Sequence, residues 1–133
     1  MTDNMLQCIV VSPERTLYDR PADFVALTLF DGEIGIAPGH TPMIGRLGCG
    51  ELRVRRGAET DRYYVEGGFV EVLGDVVSVL TGRAVPAVEI DAAVVQEQLY
   101  TAQSGAAHTP EATAVRQRVV EQCRAQLRVA RRG

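Results

Sequence analysis

Residues Leu6, Cys8 and Val10 take every second position around Gln7 and Ile9, and the run stops at Ser12-Pro13. That period of two predicts a strand with one face in a core. Residues 23–30 are rich in strand formers and lie between Pro21 and Asp31-Gly32. Leu52 and Val54 alternate with Glu51, Arg53 and Arg55, the pattern of a half-buried strand with one wet face. Residues 57–60 suit a turn into a further run over 62–66. The runs at 69–73 and 76–81 flank Gly74-Asp75, a tight-hairpin signal. Short strands at this spacing predict an antiparallel sandwich or barrel.

The period changes near Val88. Val95, Leu99, Ala102 and Ala106 recur at helical spacing behind Asp91, an N-cap residue type, and Ser104-Gly105 breaks the run. Thr109-Pro110 opens a second helix, with Thr109 at N-cap and Pro110 at N1. Its apolar line is Ala112, Val115, Val119, Cys123, Leu127 and Ala130. Arg124, Arg128, Arg131 and Arg132 crowd its last turns, where they complement the negative end of the helix dipole. The expected architecture is a β-sandwich over residues 1–86 followed by an antiparallel two-helix hairpin over 87–133.

Composition supports a packed core: 46% of the 133 residues are hydrophobic and 23% charged. All 14 basic residues are Arg, which reads as codon bias of a GC-rich genome. The net charge of -3 gives no electrostatic case for nucleic acid. Charge is uneven, however. Residues 1–89 carry 8 Arg and 13 acids, a net of -5, and residues 90–133 carry 6 Arg and 4 acids, a net of +2. The basic end suits an acidic partner or simply a solvated helix face. The start, Met1-Thr2-Asp3-Asn4, has neither the basic n-region of a secretory signal nor the character of a transit peptide. No run is long and apolar enough to span a bilayer. Cys8, Cys49 and Cys123 lack paired or ligand spacing, so a reducing compartment, no disulfide framework and no metal site are expected.

Candidate chemistry is sparse. His40 and His108 lie in loops far apart, Ser12 and Ser78 have no neighbour arranged as a triad, and Gly32, Gly35 and Gly39 are too widely spaced for a phosphate loop. Asp31 and Glu33 straddle a glycine and are explained by turn chemistry. A non-enzyme without cofactor is expected, with a stand-alone ligand-binding sandwich as the alternative. The densest unusual stretch, residues 31–44, reads as successive tight turns forming a rigid exposed loop suited to binding a protein.

That stretch carries a resemblance. Gly32-Glu33-Ile34-Gly35-Ile36-Ala37-Pro38-Gly39-His40-Thr41-Pro42 resembles the G-E-L/I-G-I/V-x-P-G-H-x-P loop of epsilon subunits of F-type ATP synthases. Val10-Val11-Ser12-Pro13-Glu14, Gly50-Glu51-Leu52-Arg53-Val54, Tyr64-Val65-Glu66-Gly67-Gly68-Phe69-Val70-Glu71-Val72, Val77-Ser78-Val79-Leu80-Thr81 and Ala125-Gln126-Leu127-Arg128-Val129 follow the family in order and spacing. The resemblance implies a sandwich of about ten strands plus a helical hairpin. It also implies a non-catalytic rotor subunit of a proton-translocating enzyme, peripheral on the cytoplasmic face of the bacterial inner membrane. Gamma would bind the sandwich, and the polar loops of the c-ring would meet Glu33, His40, Met43 and Ile44, with His40 bracing the loop.

In many family members the hairpin regulates, inhibiting ATP hydrolysis when extended into the catalytic head. The resemblance makes Arg116, Arg118, Arg124 and Arg128 candidates for transient contact with the alpha and beta subunits. Some members bind ATP through an I/L-D-x-x-R-A motif. Here Ile90 and Asp91 are kept, but Val94 stands where Arg is expected, and Gln122 and Gln126 replace the arginines of the second helix. The resemblance with these departures implies no ATP site and leaves Asp91 as a helix cap.

Overall fold

The computed structural model describes residues 5–132 without the side chain of Arg132. The readings made on residues 1–4 and on that side chain lie outside the described residues. Eight strands come first: β1 (Leu6–Val11), β2 (Thr16–Ala22), β3 (Phe24–Leu29), β4 (Gly32–Ile36), β5 (Met43–Arg56), β6 (Glu59–Leu73), β7 (Val76–Leu80) and β8 (Ala84–Pro86). A 3-10 turn (Ala87–Glu89) leads to helices α1 (Ala92–Ser104) and α2 (Pro110–Arg132).

The strands bond in the order β2-β1-β7-β6-β5-β3-β4, with β8 on β6. β1 and β7 run parallel, and the other pairs described are antiparallel. The sheet folds over so that one core collects Leu6, Cys8, Val10, Val25, Leu27, Ile36, Leu47, Leu52, Val54, Val70, Val72, Val77 and Val79.

Eight strands are found where about ten were expected, because β5 and β6 are 14 and 15 residues long and pair from Met43↔Val72 to Arg56↔Glu59. The alternation on both changes phase part-way. Inward residues are Leu47, then Leu52 and Val54, on β5, and Val65, then Val70 and Val72, on β6. The change falls at Gly48 and Gly50 on β5 and at Gly67-Gly68 on β6. Glycine is where a strand can bend between layers. At Gly68, φ is +111° and an added Cβ would collide with the Leu80 carbonyl oxygen, so the backbones of β6 and β7 are in contact there.

Three strands were not legible. β8, three residues long, is too short to show a period. β2 contains Asp19, Arg20 and Pro21, which hide the alternation of the buried Tyr18 and Ala22. Among the described residues it pairs only with β1, and an edge strand tolerates the missing N–H of proline. β4 lies inside the glycine-rich stretch read as continuous turns and pairs with β3 from Leu29↔Gly32 to Val25↔Ile36. The loop therefore shrinks from residues 31–44 to residues 37–42.

The hairpin forms as its caps predict. Asp91 Oδ1 accepts from the Ala93 and Val94 amides at 3.1 and 3.3 Å, and Thr109 Oγ1 from the Ala112 amide at 3.0 Å. Val95 and Leu99 pack against Val120, Cys123 and Leu127, with Ala102 and Val119 at the margin. The expected apolar line fails at its ends. Ala106 lies beyond α1, and Ala112 and Val115 are exposed. Alanine side chains are too short to fill the space near the hairpin loop, which stays an open groove between Ala102, Ala106, Ala112, Val115 and Val119. A second stripe of α2, Ala125 and Val129, packs with Tyr64 and Ala87, placing the hairpin against the sandwich.

Candidate functional site

The loop between β4 and β5 is built around one turn. The His40 amide donates to the Ala37 carbonyl at 3.1 Å, enclosing Pro38 and Gly39, and Gly39 has φ +85°. Proline followed by a glycine at positive φ is the chemistry of a type II turn. His40 Nδ1 lies 2.7 Å from the Thr41 carbonyl, an oxygen that can only accept, so Nδ1 carries the hydrogen. His40 thus braces its own loop.

The four residues expected at one contact differ in the element that carries them and in exposure. Ile44 is 75% exposed beside the loop. Met43, next to it, is half-buried and packs against the sandwich core. Glu33 is exposed on the edge strand β4, opposite Thr28, and lines a cleft under α2 with Arg128 and Val129.

Residues from two distant segments complete the site, and sequence reasoning missed both. The Gly39 amide donates to Asp75 Oδ1 at 2.7 Å, tying the loop to the β6–β7 turn. Gly74-Asp75 signals the hairpin, but nothing local tells where the carboxylate reaches. Below α2, Arg53 and Arg62 stand directly opposite each other across β5 and β6. Like charges so placed repel. Glu51 lies between them, accepting from Arg53 Nη1 at 2.8 Å and Arg62 Nε at 2.6 Å. Burial acts to raise the Glu51 carboxyl, but the two guanidinium groups outweigh it and hold it below the usual carboxylate range.

The hairpin arginines divide by face. Arg116 Nη1 donates to the Gly105 carbonyl at 2.9 Å and stitches the hairpin loop. Arg118 is exposed. Arg124 and Arg128, also exposed, line a cleft between α2 and the sheet with Phe30 and Cys49. None of the four makes an ion pair among the described residues. Of the positions where the ATP motif departs, Val94 is half exposed and Gln126 is buried. Gln126 lies, by helical geometry, between the Ala125/Val129 stripe and the Cys123/Leu127 stripe.

The sandwich also exposes apolar side chains on one outer face. Arg46, Phe69 and Leu80 are directly opposite one another across β5, β6 and β7, and Phe69 and Leu80 are 55% and 48% exposed. Phe30 lies under the Arg46 guanidinium, 5.0 Å from ring centre to Cζ.

A family model described as the ATP synthase delta/epsilon chain β-sandwich domain matches residues 5–87. The ATP synthase epsilon chain of Rhodopirellula baltica is 48% identical over 126 residues, 95% of this chain and 98% of the relative. The chain belongs to the ATP synthase epsilon family. The epsilon chain of Granulibacter bethesdensis is 41% identical over 96 residues, 71% of each chain. A chain of the Euglena gracilis mitochondrial ATP synthase, solved as OSCP/F1/c-ring in rotational state 1, superposes on this epsilon chain with a TM-score of 0.76. It is 25% identical, over 98% of this chain and 80% of that one. A chain of the Tetrahymena thermophila mitochondrial ATP synthase central stalk/c-ring shares the fold, with a TM-score of 0.68 at 12% identity over 98% and 99% of the two chains.

As an epsilon chain, the molecule is a non-catalytic subunit of the central stalk of an F-type ATP synthase. The alternative of a stand-alone ligand-binding sandwich finds no support among these relatives. No helix among the described residues is long and apolar enough to cross a membrane.

Proposed function

We propose that the sandwich, residues 1–86, is a rigid coupling between the gamma shaft and the c-ring of a proton-translocating bacterial enzyme, at the cytoplasmic face of the inner membrane. The hairpin, residues 87–133, is a brake on ATP hydrolysis. The neighbouring Phe69 and Leu80, both open to water beside Arg46, support the shaft contact, because exposed apolar side chains rimmed by a polar one mark a docking surface. The braced loop at residues 37–42, with Ile44 beside it, supports the ring contact. Met43 contributes from beneath by filling the core. Glu33 reaches the same partner only from the neighbouring edge strand.

The observation that carries the brake is the economy of the docking contact. α2 meets the sandwich through the small apolar side chains Ala125 and Val129 and a hydrogen bond from Arg62 to the Val129 carbonyl, while Arg116, Arg118, Arg124 and Arg128 make no ion pair among the described residues. A hairpin so held can leave the sandwich and offer its arginines to acidic surfaces of the alpha and beta subunits. The test is a chain ending at Val88, reassembled with the catalytic head and gamma. ATP hydrolysis rises relative to the full chain while gamma is still bound. Unchanged hydrolysis removes the brake, and loss of gamma binding removes the assignment of the shaft contact to the sandwich.

A further inference from the structure

Three segments converge on Asp75. Its side chain accepts from the Gly39 amide across 36 positions of sequence, and its own carbonyl accepts from the Gln7 amide at 2.9 Å. Its backbone is left-handed, φ +62°, next to Gly74 at +59°. Two successive positive φ values make a tight turn that presents the Asp75 carboxylate to the loop.

The same end of the sheet exposes two large aliphatic side chains. Ile44 on β5 faces Glu71 on β6, and Leu73 stands two residues further along that face of β6, 57% exposed. Strand alternation puts Ile44, Glu71 and Leu73 on one side. The loop and the β6–β7 turn are therefore continuous there, with one hydrogen bond fixing their spacing.

We propose that the β6–β7 turn is the second half of the ring-facing surface, with Leu73 as a contact residue and Asp75 as the positioning residue that holds the loop in register with it. The inference rests on the reading of residues 37–44 as the ring contact. The occupant is the same c-ring loop, because Leu73 lies beyond Glu71 on the side away from the Phe69 row given to the shaft, next to the turn that Asp75 ties to the loop. A charged acceptor for a backbone donor gives a stronger brace than a neutral one. A coupling that transmits torque needs its two contact points to move as one body.

Benzoylphenylalanine placed at Ile44 or at Leu73 in the assembled enzyme reads the surface directly. Both positions cross-link to the ring subunit on illumination. A product from Ile44 without one from Leu73 overturns the two-part surface and leaves the loop reading standing; no product from either position removes both. The brace is read in the isolated chain. Asp75→Gly keeps the left-handed turn and deletes the acceptor, so exchange of the Gly39 amide accelerates about tenfold. Asp75→Asn retains an acceptor oxygen and stays close to the parent. Equal exchange in the parent and Asp75→Gly overturns Asp75 as the positioning residue.

Discussion

Arg62 donates from Nη2 to the Val129 carbonyl at 2.6 Å, so a side chain of the sandwich caps the last turn of α2. The last four carbonyls of a helix have no partner within it, and Val129 supplies one of these in a helix ending at Arg132. A guanidinium there also meets the negative end of the helix dipole. Arg62 is held in place by Glu51, which links β5, β6 and the hairpin into one polar cluster.

Replacing Arg62 with Met keeps most of the stem and removes the donor. Hydrogen bonds to charged groups contribute about 1.5–3 kcal/mol, so docking of α2 weakens by an amount of that order. Amide exchange in residues 120–129 rises while exchange in β1 and β7 stays put. Unaltered exchange along α2 would show that the apolar stripe alone holds the hairpin.

The same cluster makes docking sensitive to acid. Glu51 has a lowered folded-state pKa, so around the carboxylate range the unfolded chain binds more protons and stability falls as pH falls. The contribution is complete above the unfolded glutamate value of about 4.3 and is lost as pH drops through the lower folded value. Asp61 is lowered too, mainly by its hydrogen bond from Arg56 and against the effect of burial, so it adds to the same slope. Urea midpoints for the parent and Glu51→Gln separate the two. The parent loses more stability between neutral pH and the acid range than the variant does, and parallel curves would remove Glu51 from the account.

Much of the fold was legible because local chemistry and tertiary structure agree. The Gly74-Asp75 turn, the Asp91 and Thr109 caps and the alternation around Leu6 and Leu52 each depend on near neighbours in the chain. What was not legible depends on distant partners. β2 hides its two buried residues behind Asp19, Arg20 and Pro21, and its strand character comes from pairing with β1. In the candidate site, the turn at Pro38-Gly39 was readable from local chemistry and the bracing role of His40 came only with the resemblance, whereas the reach of Asp75 to Gly39 and of Arg62 to Val129 was not readable at all. Met43 and Ile44 are adjacent, yet strand alternation sends one inward and the other outward.

Gly68 is a position where any side chain must fail. Its φ of +111° is one that L-residues rarely adopt, and a Cβ would meet the backbone carbonyl of Leu80, which has no flexible end to move aside. Gly68→Ala therefore costs upward of about 3 kcal/mol, in the range reserved for backbone strain and core disruption. Thermal unfolding of the variant shows a lowered midpoint or no cooperative transition. A midpoint within a degree or so of the parent would mean that β6 and β7 separate without penalty.

The resemblance implies that ATP recognition in the hairpin would use cations at positions 94, 122 and 126, where this chain has Val94, Gln122 and Gln126. Val94 is an aliphatic on the half-exposed face of α1, and Gln126 is a neutral amide already buried between the two packed stripes of α2. Each missing guanidinium forfeits charge-assisted bonds to phosphate oxygens of about 1.5–3 kcal/mol, and two such losses already weaken binding by roughly a hundredfold or more. Titration calorimetry on the isolated chain gives no saturable heat with ATP at micromolar concentrations, and amide exchange in α1 and α2 is the same with and without nucleotide. A micromolar isotherm would contradict this and point to phosphate ligands elsewhere, Arg116 and Arg118 being the first to substitute. If nucleotide leaves the hairpin unmoved, its release is governed by the contact with the sandwich, where Arg62 and Glu51 set the strength of the hold.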